Sequence, residues 1–140
     1  MKEYSFPVDV EFKTISETRP LAGGVYRPTN NKITLYIKGL ENQCLTLYKS
    51  LKPFEIHAAI VFAHELGHAL DDTLLDICEQ LDTIKAGHIK RRIEIRAETN
   101  AWEIARILLG DRLKVMENRE LFELLMHHSL EPYYGKGFAA

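Results

Sequence analysis

Residues 58–70 read AAIVFAHELGHAL, and the five letters HELGH at 64–68 decide how the rest of the chain is read. On a helix, positions i and i+4 lie on one face, so His64 and His68 can aim a ring nitrogen each at a single ion. Neutral imidazole is a good zinc ligand. Glu65 stands one position further, about 100° round the helix, where it is free to act as a general base on the attacking water. The preceding AAIVFA run is apolar and predicts that one side of this helix is buried. Gly67 inside the motif costs about 1 kcal/mol of helix propensity relative to alanine, which predicts that another element passes close to it.

A hydrolytic zinc site needs a third protein ligand and an open position. The long H-E-x-x-H-x-x-G-x-x-H pattern fails here, because residue 71 is Asp71 and residue 74 is Leu74. The remaining candidates are Glu94, Glu98 and His88. Both glutamates lie at i,i+4 in a second helical stretch at about 89–109, where Ile93, Ala97, Ala101, Ile104, Ala105 and Leu108 recur at helical spacing. Glu98 sits at the edge of that apolar register, and the small residues Ala97 and Ala101 would let two helices approach closely. Glu98 is therefore the favoured third ligand. Glu94 is an alternative, or a neighbour of the site; Asp72 is a candidate partner for the far N–H of a ligand histidine. His57 shares a face with His64 but lies two turns away, too far to bind the same ion. Donors for a tetrahedral oxyanion are needed as well. Tyr26, Tyr36, His127, His128, Tyr133 and Tyr134 are the candidates, with His128 on an apolar face and His127 directed elsewhere.

Around these helices the rest of the chain falls into two parts. Residues 6–14 alternate, with Phe6, Val8, Val10 and Phe12 on one face, and short strands are expected at 24–27 and 32–38. Gly23-Gly24 and Pro28-Thr29-Asn30-Asn31 mark turns. The expectation is a small antiparallel sheet with one solvated face. If KITLYI at 32–37 is an edge, an extended peptide could add to it as a further strand. Helical patterns follow: a short one at about 41–50, one from Pro53 to about 71, an ambiguous stretch at 73–87, the 89–109 helix stopped by Gly110, and one at 117–130 ended by Pro132. The tail YYGKGFAA is expected to be loose. With no repeat or linker, residues 1–140 are read as one domain.

HELGHAL, followed some thirty residues later by ETNAWEIARILL, resembles the ImmA/IrrE family of small zinc metallopeptidases. Glu98, Ala101, Ile104, Ala105, Leu108 and Leu109 match the family's second motif in register, although its most frequent form has phenylalanine where Ile104 stands. The Gly-Gly-Val-Tyr turn and the KITLYI strand are similar to the family's substrate-side strand. Family members often begin with a helix, whereas this chain begins with a strand pattern. The resemblance spans about residues 21–110. It implies an α+β, minimal zincin-like and gluzincin-like core, in which a small sheet is followed by a metal-binding helix and a glutamate helix. It further implies one Zn²⁺ held by His64, His68 and Glu98, with Glu65 catalytic. The substrate it implies is a protein, such as a helix-turn-helix transcriptional repressor.

Composition narrows the alternatives. The 140 residues are 46% hydrophobic and 27% charged with a formal net charge of −2, enough apolar residue for a core and no concentrated basic face for nucleic acid. Lys90-Arg91-Arg92 reads as a solvated helix start. The N-terminal stretch has no apolar signal region, and no segment has the roughly 18 apolar residues of a membrane span. Cys44 and Cys78 are too few for a disulfide framework, so the expectation is a cytoplasmic protein with reduced thiols. Two other functions fit the motif. A peptide-deformylase-like metallohydrolase would recruit Cys44 as a thiolate ligand, and a non-catalytic zincin-fold binding module would use the site for assembly alone.

Overall fold

The computed structural model describes the backbone of residues 8–139 and the side chains of residues 8–133. Three strands, β1 (Asp9–Lys13), β2 (Gly24–Arg27) and β3 (Lys32–Tyr36), precede five helices: α1 (Ile37–Tyr48), α2 (Phe54–Leu70), α3 (Leu74–Thr83), α4 (Gly87–Leu109) and α5 (Met116–Ala139). A 3-10 turn, Gly110–Lys114, links the last two. The class is α+β, as expected, and no helix among the described residues is long and apolar enough to cross a membrane.

The sheet corrects the expected arrangement. Its order is β1-β3-β2, with β3 antiparallel to β2 and parallel to β1, so the sheet is mixed. Alternation assigns side chains to faces but says nothing about neighbours. Here the connection from 14 to 23 carries the chain past the position that β3 later fills, and the β2–β3 hairpin brings it back beside β1, so residues 14–31 together form the long connection that parallel strands need. KITLY is therefore the central strand. Ile33 and Thr34 are fully buried, and the Thr34 hydroxyl is occupied by Arg27 Nη1 at 3.0 Å and Glu11 Oε1 at 3.3 Å. Among the described residues, β1 and β2 are the outer strands. On β1 the expected apolar face is not a core face, since Phe12 is 66% exposed; Phe6 lies outside the described residues. The β2–β3 hairpin turns through Asn31 at φ +52°, a left-handed conformation that asparagine tolerates.

The strand expected to run to residue 38 ends at Tyr36, and α1 begins at once. Gly39 permits this: a side chain there would strike the Ala22 carbonyl oxygen. Pro53 precedes α2 as expected. The main core joins Ile60 and Ala63 of α2, Trp102, Ala105 and Leu109 of α4, Leu113 of the 3-10 turn, and Phe122 and Leu125 of α5. A smaller cluster packs Ile77 of α3 on Ile93 and Ala97 of α4. Gly110, at φ +51°, stops α4 as expected. Pro132 does not stop α5, whose backbone stays helical to Ala139. A proline removes one intrahelical bond, and here that loss falls at an exposed position within a long helix.

Candidate metal centre

The two helices that carry the site touch at their smallest residues. A Cβ on Gly67 would collide with the Ala101 carbonyl oxygen and stand 2.9 Å from the Ala101 Cα. The glycine inside the motif is therefore explained by backbone contact, and the fully buried Ala101 is its counterpart on α4. This approach carries Glu98, three residues before Ala101, onto the histidine face of α2.

There the Glu98 carboxylate spans both imidazoles. Its Oε1 is 2.9 Å from His64 Nε2 and its Oε2 is 3.2 Å from His68 Nε2. The two rings lie 4.8 Å apart, centre to centre. Glu65 is buried on the other side, its Oε2 3.4 Å from His64 Nδ1. The donor atoms of His64, Glu65 and His68 fall within 4.8 Å of one another, a group able to hold a metal ion. Glu98 adds the closest contact to both Nε2 atoms, so two imidazoles and a carboxylate focus on one point, and these are donors that suit zinc. Their electrostatics agree. Burial opposes a charged His64, yet its hydrogen bonds to Glu65 and Glu98 outweigh that and push its pKa up to about 9. Burial likewise opposes an ionised Glu98, and the bonds from His64 and His68 hold its carboxyl well below the ordinary range. Two carboxylates around this point favour positive charge, which a proton supplies when no cation does.

The site opens into a cavity of about 1140 Å³. Gly24, Val25 and Tyr26 of β2 form one wall, α3 contributes Leu74 and Cys78, and α5 contributes His128, Ser129 and Tyr133. A Cβ on Gly24 would stand only 3.3 Å from Glu65 Cγ, so the bare backbone of β2 runs directly past the candidate base.

The other candidates separate cleanly. Glu94 lines the cavity one turn before Glu98, while His88 is exposed and far back on α4. Asp72 is exposed and hydrogen-bonds neither histidine. The buried carboxylate at this corner is Asp71, which accepts from the Thr73 backbone N–H and hydroxyl and from Asn100 Nδ2; it ties the end of α2 to α4. Cys44 is fully buried in α1, outside the histidine cluster. Among the oxyanion candidates, Tyr36 is buried in the sheet and Tyr26 gives its hydroxyl proton to Asn31 Oδ1 at 2.6 Å. His127 is exposed. His128 is exposed too, lining the cavity and not in the core, and half-buried Tyr133 also lines the cavity. Tyr134 has no described side chain. His57 is a core residue, fully buried between the Tyr48 hydroxyl at 2.9 Å and Gln43 Oε1 at 2.7 Å.

Sequence reasoning missed two neighbours of the ligands. Trp102 stacks on His64 with ring centres 4.2 Å apart and planes 13° from parallel, and Ser129 Oγ lies 3.5 Å from Glu98 Oε1. Trp102 could have been found as the residue one turn after Glu98. Nothing near Ser129 marks it. No protein-family model matches this chain, and no curated protein or solved structure is detectably similar to it.

Proposed function

We propose that this chain is a zinc-dependent endopeptidase. The observation that carries the reading is the Glu98 carboxylate reaching both His64 Nε2 at 2.9 Å and His68 Nε2 at 3.2 Å, with Glu65 left beside them on the wall of an open cavity. His64, His68 and Glu98 would hold the ion. When bound, zinc supplies Lewis acidity, polarising a carbonyl and acidifying a water. Glu65 takes the proton of the attacking water and delivers it to the leaving amine. The burial of Glu65 beside β2, on the wall of the cavity, supports this role. An extended protein segment is the substrate, laid along β2, an outer strand among the described residues, since β3 is central. The resemblance to the ImmA/IrrE family makes helix-turn-helix repressors the first substrates to test. A deformylase-type site finds no support, because its cysteine ligand would have to be Cys44.

Metal content by mass spectrometry on wild type, Glu98→Ala and Glu94→Ala tests the ligand set. The expected result is about one zinc per chain in wild type and Glu94→Ala, as a single His₂Glu site requires, and loss in Glu98→Ala. Zinc retained in Glu98→Ala overturns the assignment.

A further inference from the structure

We infer that Trp102 and Ser129 are positioning residues of the metal centre, a serine–indole support that fixes the Glu98 carboxylate and the His64 ring together. The inference rests on the proposed zinc site and extends it to α5. Trp102 is 3% exposed, and its indole covers one face of the His64 ring. Its Nε1–H points away from that ring and donates to Ser129 Oγ at 3.1 Å. The direction of the next bond follows from the groups available. An indole N–H can only donate, so Ser129 accepts from it, and the hydroxyl hydrogen is left for an acceptor. The neighbour within reach is Glu98 Oε1 at 3.5 Å, to which the hydroxyl donates. Glu98 Oε1 in turn bonds His64 Nε2. The contacts close into a ring: His64 stacked on Trp102, Trp102 to Ser129, Ser129 to Glu98, Glu98 to His64.

Each member comes from a different constraint. Glu98 and Trp102 share a face of α4 at i,i+4. Phe122 of α5 meets the indole edge-on, 5.4 Å away at 85°, and this sets the rotation of the ring over His64. Ser129 is two turns further along α5. A carboxylate ligand whose second interaction is satisfied by a fixed hydroxyl keeps one orientation, and outer partners of this kind typically change metal affinity by roughly 10- to 100-fold. A serine placed only for packing would show no such effect.

The test is zinc affinity, measured by competition with a chromophoric chelator, on wild type, Ser129→Ala, Ser129→Thr and Trp102→Phe. Thermal melting of the metal-free proteins runs alongside as the folding control. Ser129→Ala is expected to raise the zinc Kd roughly tenfold or more at an unchanged metal-free melting temperature, and Ser129→Thr, which keeps the hydroxyl, to restore it. Trp102→Phe keeps an aromatic face on His64 but lacks the N–H, and should weaken zinc without adding to Ser129→Ala in the double variant. Trp102 is the single tryptophan of the chain, so zinc binding should also change the intrinsic emission of wild type. A Kd within about twofold of wild type in Ser129→Ala, or an emission unmoved by bound zinc, overturns the inference and leaves the metal site standing. A wild-type chain that takes up no zinc overturns both.

Discussion

Replacing Gly67 by alanine separates two opposed expectations. Helix propensity alone predicts stabilisation by about 1 kcal/mol, since glycine is the poorest ordinary helix former. The packing predicts the reverse. A Cβ at 67 would meet the Ala101 carbonyl oxygen head-on and lie 2.9 Å from both the Ala101 Cα and its carbonyl carbon. That is roughly 0.6 to 1 Å short of the 3.5–4.0 Å optimum for carbon contacts. The obstructing atoms are backbone, so no rotamer change relieves them and α2 and α4 must part. Overpacking of this kind costs about 1–3 kcal/mol. Taking the upper end because the neighbour cannot rotate away, and subtracting the propensity gain, leaves a net loss of about 2 kcal/mol. For a domain of this size that is a fall of roughly 8 °C in melting temperature. The displacement also exceeds the ~0.2 Å tolerance of metal–ligand distances, with Glu98 only one turn from the contact. Urea unfolding followed by circular dichroism, with zinc analysis of the folded fraction, measures both effects. A Gly67→Ala protein as stable as wild type that still binds zinc would refute the close approach of the two helices.

Two further outcomes are expected. Glu65→Gln keeps the shape of the side chain but removes the base, so peptidase turnover should fall about 10²- to 10⁴-fold while zinc content stays near that of wild type; undiminished turnover would exclude Glu65 as the base. Burial holds the His57 pKa down to about 4 from 6.5, so below pH 6.5 the unfolded chain takes up a proton that the folded chain refuses. Stability attributable to His57 is therefore intact above pH 6.5 and declines by about 3 kcal/mol as pH falls to 4; pH-dependent urea melts of wild type and His57→Gln should converge over that range, and parallel curves would contradict it.

What was legible in the sequence was what short-range periodicity encodes. HELGH on a helix, the register that placed Glu98 at the edge of an apolar face and the glycine reporting a close neighbour all depend on residues within one or two turns. Each is matched by the structure: Gly67 lies on Ala101, and Glu98 faces both histidines. Long-range pairing was not legible. Alternation in DVEFK and KITLY gives faces but not neighbours, so the parallel β1–β3 pair and the burial of Thr34 on the supposedly solvated face were missed. Pro132 misled because its local cost was read as a stop. Ser129 was invisible for a similar reason, since its partner Trp102 lies 27 residues away and a serine on a helix carries no signal of its own.

For the proposed peptidase, the central position of β3 bears on where a substrate would lie. Tyr36 N–H donates to the Gly23 carbonyl, so the backbone groups of Gly23 point into the sheet. Successive residues of a strand point their backbone groups to opposite sides, so those of Val25 and Arg27 follow Gly23 inward, while Gly24 and Tyr26 present theirs to the outer side of β2. A segment added there would bond Gly24 and Tyr26, two residues apart. Gly24 is also the residue whose missing side chain lets β2 run against Glu65. In the proposed function the same bare position would give an incoming strand its backbone contact and bring that strand past Glu65. A β-branched or larger residue at 24 would keep the hydrogen-bonding edge but push it away from Glu65, which favours β2 over the longer and more apolar β3 as the strand that would align the proposed substrate.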